Sequence, residues 1–190
     1  VPGLPRLGRR RPSDQPGGSV PGAALFPTQA ASAFGTSVHA ALAQIEWLAD
    51  SAPATLARAL AEISAPDDAR TEVEACLRTP EIARLFERTH PTTEAWRERA
   101  VELLLDGELV SGVFDRVLVE RNPAGRATAA TLVEFKTDHL ASPAELDEAA
   151  IRHRPQLDRY REALVHLLSL PAEKISTALV FTHLRRVVTA

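Results

Sequence analysis

Apolar residues recur at helical spacing through the first half of the chain. Val38, Leu42 and Ile45 follow one another at intervals of three or four, which predicts a helix that Thr36 or Ser37 can cap. Further helices are predicted near residues 54–63, 67–78 and 80–88. Each of them begins near a proline, a residue type that is common in the first helical turn. This half of the chain is therefore predicted to be helical.

The pattern changes to strands in the middle of the chain. Three stretches rich in Val, Leu, Phe and Thr cover residues 96–105, 109–120 and 131–137. Turn sequences at Asp106-Gly107 and at 122–125 separate these stretches, which predicts a three-stranded antiparallel meander.

Two helices and two strands are predicted in the last part of the chain. One helix follows Pro143, a second runs from Pro155 to about Ser169, and residues 176–182 and 185–189 read as closing strands. The whole pattern predicts a mixed α/β domain in which helices precede and follow a mainly antiparallel sheet.

Composition divides the chain into a linker and one domain. Residues 1–33 are rich in Pro, Gly and Arg and show no apolar period, so we expect a flexible linker ahead of a domain at 34–190.

The apolar runs are too short to span a bilayer, so we expect no membrane contact. Cys76 is the single cysteine, which excludes a disulfide framework, a four-cysteine zinc site and a cysteine-held iron–sulfur cluster. We therefore expect a cytoplasmic protein.

The charge balance restricts the classes of ligand. A net charge of −3 argues against a protein that coats nucleic acid by bulk attraction, but it is compatible with a local basic groove. The 190 residues contain no G-x-x-x-x-G-K-[ST] loop, so we expect this chain to bind no nucleotide. Basic residues are almost all arginine, and Lys136 and Lys174 are the two lysines.

Three charged residues interrupt two otherwise apolar strands. Asp115 lies on the second predicted strand, and Glu134 and Lys136 lie on the same face of the third. In an antiparallel hairpin the numbers of paired residues add up to a constant. A turn centred between Ala124 and Gly125 sets this constant at 249, which places Asp115 directly opposite Glu134.

Two neighbouring carboxylates inside a sheet favour a divalent cation between them. Like charges in this position destabilise a sheet, and burial of an unpaired carboxylate costs several kcal/mol. Mg²⁺ prefers oxygen ligands and is commonly held by one or two carboxylates, so it fits this pair. The alternative is a set of ion pairs, in which Arg116 or Arg97 neutralises Asp115 and Lys136 neutralises Glu134.

These residues resemble the motif of PD-(D/E)xK nucleases. Gly112-Val-Phe-Asp115-Arg and Glu134-Phe-Lys136-Thr-Asp138 carry the resemblance. Three other segments are similar to the nuclease domains attached to RecB/AddA-type, UvrD-like helicases. These segments are Phe34-Gly-Thr-Ser-Val-His39, Arg97-Glu98-Arg-Ala-Val and Gln156-Leu-Asp-Arg-Tyr160, although Ala100 and Val101 replace the usual Pro and Phe.

The resemblance implies a restriction-endonuclease-like core and a set of site residues. Mg²⁺ would be bound by His39, Asp115, Glu134 and the Phe135 carbonyl, and Mn²⁺ can substitute for it. Catalysis would depend on Asp115, Glu134, Lys136, Gln156 and Tyr160. Lys136 would orient the attacking water and neutralise the phosphate, a task that suits a movable ammonium better than a guanidinium. Glu98 is a secondary candidate.

The resemblance also implies DNA as substrate and a helicase as partner. A helicase motor of the same polypeptide or complex would feed single-stranded ends to the domain during double-strand-break repair and recombination in a bacterial cytoplasm. Arg152, Arg154 and Arg159 can bind backbone phosphates, or Asp158 and Glu162 can neutralise arginines of this helix. The alternatives are a stand-alone endonuclease with the same site and a non-catalytic DNA-binding module of a helicase.

Overall fold

The computed structural model of the protein describes residues 9–10, 29–49, 52–105 and 107–189. Its helices are α1 (Gln29–Gln44), α2 (Pro53–Glu62), α3 (Asp67–Leu77), α4 (Pro80–Ala83) and α5 (Pro143–Leu168). Its strands are β1 (Arg9–Arg10), β2 (Glu94–Leu105), β3 (Glu108–Arg121), β4 (Ala127–Lys136), β5 (Ile175–Phe181) and β6 (Arg186–Thr189). Single 3₁₀ turns follow α4 (Arg84–Phe86) and precede β5 (Ala172–Lys174).

The strands form one mixed sheet in the order β2-β3-β4-β5-β6, and β1 also pairs with β3. β2 pairs antiparallel along one edge of β3, and β4 pairs antiparallel along the other edge from Arg116 to Arg121. β1 occupies the same edge as β4 but farther along, in a short parallel pair with Leu109 and Val110. β5 pairs parallel with β4, and β6 pairs antiparallel with β5. The predicted α/β class and mainly antiparallel sheet are confirmed.

Helices cover both faces of the sheet. On one face, α1 to α4 pack over a cluster that includes Val133, Phe135 and Val180 from the central strands. On the other face, α5 packs over Leu132 and Leu179, the neighbours of those residues along the same strands. The alternation of adjacent residues between the two clusters is what a sheet buried on both sides requires.

The N-terminal helix is longer than predicted. α1 begins at Gln29, ahead of the predicted caps, and the Ser37 hydroxyl donates to the carbonyl of Ala33 as a serine inside a helix does. Of the predicted linker at 1–33, the structure describes Arg9–Arg10 and the first residues of α1, and the rest lies outside the described residues. Asp106 of the predicted turn also lies outside them, and Gly107 has a φ of 81° that suits glycine.

The prediction of two separate helices around Pro155 was wrong, because α5 runs unbroken from Pro143 to Leu168. Ser142 caps its start by accepting a hydrogen bond from the Glu145 amide. The apolar stripe continues past the proline, so packing outweighs the one lost helical bond. Ile151, four residues before Pro155, is 74% exposed, so this turn of the helix lies at the surface. None of the described helices is both long and apolar enough to cross a bilayer.

Leu164 and Leu167 test how α5 docks on the sheet. Leu164 is fully buried and Leu167 is 48% exposed, although they are three residues apart on the same helix. We expect Leu164→Ala to lower the free energy of unfolding by about 2–5 kcal/mol because it leaves a cavity. Leu167→Ala is the matched control and should change it by less than about 1 kcal/mol. Urea denaturation measures both, and equal effects would contradict this docking.

Candidate active site

Three carboxylates stand opposite one another on three neighbouring strands. The pair Arg116–Val133 fixes the register of β3 against β4 at the predicted constant, and one step further places Asp115 opposite Glu134. Across the other edge of β3, the pairs that flank Glu98 place it opposite Asp115. We call Glu98, Asp115 and Glu134 the carboxylate row.

The strands separate where the row crosses them. Phe114 and Val117 both join the apolar cluster under α5, so the regular alternation of side chains on β3 breaks between them. The paired ladder of β3 and β4 ends at Arg116, and the next bond is made by a side chain: the Phe135 amide donates to Asp115 Oδ2 at 2.8 Å. Asp115 Oδ2 therefore replaces a backbone acceptor.

Glu98 has an unusual backbone conformation. Its φ is 43°, in the left-handed region that costs a residue with a side chain about 1–2 kcal/mol. The side chain is 41% exposed, whereas that of Asp115 is 8% exposed. The carboxylate row thus runs from solvent at Glu98 to the protein interior at Glu134.

Helix α1 brings His39 to the carboxylate row. His39 Nδ1 lies 3.2 Å from Asp115 Oδ1, within hydrogen-bond distance, and 3.9 Å from Glu98 Oε1. Its ring packs edge-on against Phe135, with ring centroids 6.2 Å apart. One ligand-type atom from each of His39, Glu98 and Asp115 lies within 4.8 Å of the others. The structure therefore brings together the histidine and two of the carboxylates that the sequence singled out.

Glu134, Lys136 and Gln156 form a closed network on the α5 side. Lys136 Nζ donates to Glu134 Oε1 at 3.1 Å and to Gln156 Oε1 at 2.9 Å. Gln156 Nε2 completes the ring by donating to Glu134 Oε1 at 2.7 Å. Both hydrogen bonds to Glu134 end on the same oxygen. The network fixes the orientation of the carboxylate and leaves its other oxygen unused.

That other oxygen is the best indication that the site suits a cation. Glu134 Oε2 is buried, and no residue in the described part of the chain forms a hydrogen bond with it. A buried carboxylate oxygen without a partner costs free energy, which a coordinated cation offsets. Carboxylate oxygens and histidine nitrogens are common ligands of divalent cations. The residues present therefore fit such an ion.

The electrostatics of the site agree with a surplus of negative charge. Burial and the neighbouring Asp115 charge raise the pKa of Glu134 from 4.5 to about 7, against the opposing effect of Lys136. Burial and Asp115 also raise the pKa of Glu98. Burial lowers the pKa of His39, but the hydrogen bond and charge of Asp115 and the charges of Glu134 and Glu98 outweigh it, so the net shift is upward. Each shift favours the protonated form of its group, through burial for the two glutamates and through the nearby carboxylates for all three groups.

The ion-pair alternative holds for one carboxylate and fails for the other. Lys136 does contact Glu134, as that alternative predicted. Arg116 instead points away from Asp115 and donates to the backbone carbonyls of Leu85, Ile45 and Glu46. Arg97 likewise donates to carbonyls of α1. Neither guanidinium neutralises Asp115, whose polar contacts are made by His39 and the Phe135 amide.

Tyr160 lies beside the site and is committed to packing. Its hydroxyl accepts a hydrogen bond from the Val113 amide at 3.3 Å, and its ring meets Phe114 edge-on at 5.1 Å. A Cβ at Gly112 would lie 2.4 Å from the hydroxyl, so glycine is required for this contact. Burial raises the pKa of Tyr160, which keeps the phenol protonated.

The three arginines considered for DNA binding each have a protein partner. Arg152 lies 3.5 Å from Asp138, and Arg154 lies 3.5 Å from Asp158. Arg159 donates to Glu162 at 2.6 Å. About half of the Arg152 and Arg154 side chains is exposed (49% and 56%), so these two ion pairs are weak and open to exchange.

A cleft of about 650 Å³ lies away from the carboxylate row. Residues of β2, β3, β4 and the end of α5 line it, among them Trp96, Arg99, Arg126 and Leu167. It contains none of the three acids, His39 or Lys136, and Glu94 neutralises its Arg121. The chemistry therefore points to the carboxylate row rather than to this cleft.

Sequence reasoning missed two features of the site. Glu98 was a secondary candidate by resemblance only, although the register of β2 against β3 would have placed it opposite Asp115. Arg116 and Arg97 were considered as partners for Asp115, whereas both bind backbone carbonyls. The sequence carries no signal for this role, because every residue has a backbone carbonyl and the acceptor of an arginine therefore cannot be identified from residue types.

Gly112→Ala tests the packing of Tyr160. The new methyl group would overlap a rigid ring, so β3 or α5 must shift, and we expect a loss of about 1–3 kcal/mol in the free energy of unfolding. Adding Tyr160→Leu should restore part of this loss, because it removes the ring. Urea denaturation of the three proteins measures the effect. A single variant as stable as wild type would show that the ring does not occupy this place.

Glu134→Gln tests the buried carboxylate in EDTA. Below pH 4.5 both states hold the proton, whereas between 4.5 and about 7 the folded state alone keeps it, so stability should fall as pH rises. The full penalty above pH 7 is on the order of 3 kcal/mol. Urea denaturation at acidic and alkaline pH should show a larger fall in wild type than in the variant, which keeps only the contribution of other groups such as His39. The same pH dependence in both proteins would exclude Glu134 as its source.

Comparison with known proteins agrees with the geometry. A search of curated proteins found no match to the chain. The family model of the PD-(D/E)XK nuclease superfamily matches residues 19–188, which include the carboxylate row, His39, Lys136 and Gln156. Since this match covers most of the chain, the protein belongs to the PD-(D/E)XK nuclease superfamily.

Proposed function

We propose that the protein hydrolyses DNA phosphodiester bonds with the help of Mg²⁺. The observation that carries the proposal is the unpartnered, buried Glu134 Oε2, within the carboxylate row and beside Lys136. A structural ion pair would have no reason to leave this oxygen without a partner. Membership of a superfamily of metal-dependent nucleases supports the same chemistry.

The proposed ligands are His39, Asp115, Glu134 and the Phe135 carbonyl. Asp115 and Glu134 supply the negative charge, and the Phe135 amide and Gln156 hold their carboxylates in place. Mg²⁺, with Mn²⁺ as substitute, would supply charge to polarise the phosphate and lower the pKa of a bound water. Glu98, strained and nearer to solvent, remains a secondary candidate.

Lys136 is suited to contact the substrate. An ammonium group has three hydrogens to donate. Within the described residues, Lys136 Nζ donates two of its hydrogens to Glu134 and Gln156. The third hydrogen then points away from these two acceptors. We assign this third donor to a phosphate oxygen or to the attacking water. Gln156 positions Lys136, and Tyr160 supports the site by locking β3 to α5.

We infer that the substrate strand lies across the exposed side of α5. Arg152 is half exposed there, and a DNA phosphate can replace the Asp138 carboxylate that it now contacts. Arg154 is a second candidate on another face of the helix, because it lies two residues from Arg152. Arg159 is a third candidate. The order of the motifs along the sequence supports a place next to a RecB/AddA-type helicase motor that feeds single-stranded ends. Repair and recombination of broken DNA would then be the cellular role.

A nuclease assay with matched variants tests the proposal. Wild type should cleave linear single-stranded DNA in Mg²⁺ or Mn²⁺, and EDTA should stop the reaction. Asp115→Asn should lower the rate by about 100-fold or more, because it removes a charge from the carboxylate row. Lys136→Arg should also lower it by about 100-fold, since a planar guanidinium cannot occupy the place of the ammonium.

The second lysine provides the control. Lys174→Arg makes the same chemical change in a 3₁₀ turn outside the site and should leave the rate unchanged. Normal cleavage by Asp115→Asn would contradict the site assignment. DNA binding without cleavage by wild type, in both metals, would favour the non-catalytic module.

A further inference from the structure

Helix α1 lies across the three strands that carry the carboxylate row. Gly35, His39 and Ala43 are spaced by four residues and therefore share one face of the helix. Gly35 packs on Thr137 just after β4, His39 contacts Asp115 on β3, and the Ala43 carbonyl accepts from Arg97 on β2. The helix thus has three points of attachment, with His39 at the middle one.

The first attachment is a close approach. A Cβ at Gly35 would lie 2.8 Å from the Thr137 hydroxyl, so the helix backbone sits directly on the end of β4. This contact sets the distance of α1 from the sheet on one side of His39. It does not fix the position of the C-terminal end of α1, which needs a contact of its own.

The last attachment is a pair of arginines on neighbouring strands. Arg97 and Arg116 are paired residues of β2 and β3. Arg97 Nη1 donates to the Ala43 and Gln44 carbonyls at 3.0 and 3.4 Å. Arg116 donates to the next two carbonyls, those of Ile45 and Glu46, at 3.0 and 2.6 Å. Two guanidinium groups therefore bind four consecutive carbonyls, the last two of α1 and the two that directly follow the helix.

This arrangement satisfies a general need of helices. The last carbonyls of a helix lack partners within it and carry a partial negative charge, which cations stabilise. Arg116 is 1% exposed, and its Nε also donates to the Leu85 carbonyl at 3.0 Å. Burial lowers the pKa of Arg116 to about 10, with Arg97 adding to the effect, so it still carries its charge near neutral pH.

We propose that Arg116 and Arg97 are positioning residues that hold His39 against Asp115. Arg97 binds the last two carbonyls of α1, and Arg116 binds the two carbonyls that directly follow the helix. Arg116 follows Asp115 directly in sequence, so one short segment of β3 fixes both the carboxylate and the helix that delivers the histidine. The role rests on the proposed function, since it matters only if His39 helps to bind the cation. Lysine cannot reproduce it, because one ammonium cannot span carbonyls from separate segments.

Mn²⁺ binding measures the effect without any need for DNA cleavage. The free Mn²⁺ signal in electron paramagnetic resonance gives the dissociation constant for each protein. We expect Arg116→Lys to weaken Mn²⁺ binding by about tenfold, as loss of a group that orients a ligand does. Arg78→Lys is the control: Arg78 is exposed and pairs with Glu74 on the surface of α3, so its replacement should change nothing.

A double-variant comparison separates positioning from general damage. If Arg116 acts through His39, the same substitution should cause no further loss of Mn²⁺ affinity in a His39→Ala protein, although it still lowers stability. An equal loss in both backgrounds would overturn the proposal, and so would an unchanged affinity in Arg116→Lys. Failure of wild type to bind Mn²⁺ would instead contradict the proposed function.

Arg97→Gln keeps the proposal testable if Arg116→Lys does not fold. Arg97 is 33% exposed, so the structure tolerates its loss more readily. We expect its Mn²⁺ affinity to fall by a smaller factor, about threefold, and only while His39 is present. Wild-type affinity in a folded Arg97→Gln protein would overturn the proposed role of the two arginines.

Discussion

Repulsion between Asp115 and Glu134 is the constraint on which the site depends. The two carboxylates are opposite one another in the sheet and nearly excluded from water. Lys136 and Gln156 satisfy one oxygen of Glu134, and the Phe135 amide satisfies one oxygen of Asp115. A demand for positive charge remains, because the pKa of Glu134 is raised and its second oxygen has no hydrogen-bond partner among the described residues. A divalent cation meets this demand in a way that neighbouring side chains do not.

The rest of the fold can be understood as a frame around this charged pair. β3 and β4 separate at Asp115, which makes room for ligands in a sheet that is otherwise buried on both faces. α5 supplies Gln156 from one face, and α1 supplies His39 from the other. Both helices are fixed by close contacts at glycines, Gly112 under Tyr160 and Gly35 against Thr137.

Local patterns predicted most of the frame. The strands and their register followed from the hairpin. The turn is centred on Ala124, half a residue before the predicted centre, and a β-bulge after Glu120 restores the predicted pairing. The continuity of α5 could not be predicted, since packing outweighs Pro155 only in the folded protein. The side of the sheet on which Arg116 lies could not be predicted either. Regular alternation along β3 would place Arg116 on the same face as Phe114, but the alternation breaks at Asp115 and Arg116 lies on the opposite face.

The central claim is that a divalent cation binds between Asp115 and Glu134, within reach of His39. An anomalous-scattering map from a crystal soaked in Mn²⁺ tests this claim most directly. The account predicts a strong peak in contact with one oxygen of each carboxylate, including the Glu134 oxygen that has no hydrogen-bond partner. A well-ordered crystal with no peak there, or with the metal bound elsewhere, would contradict it.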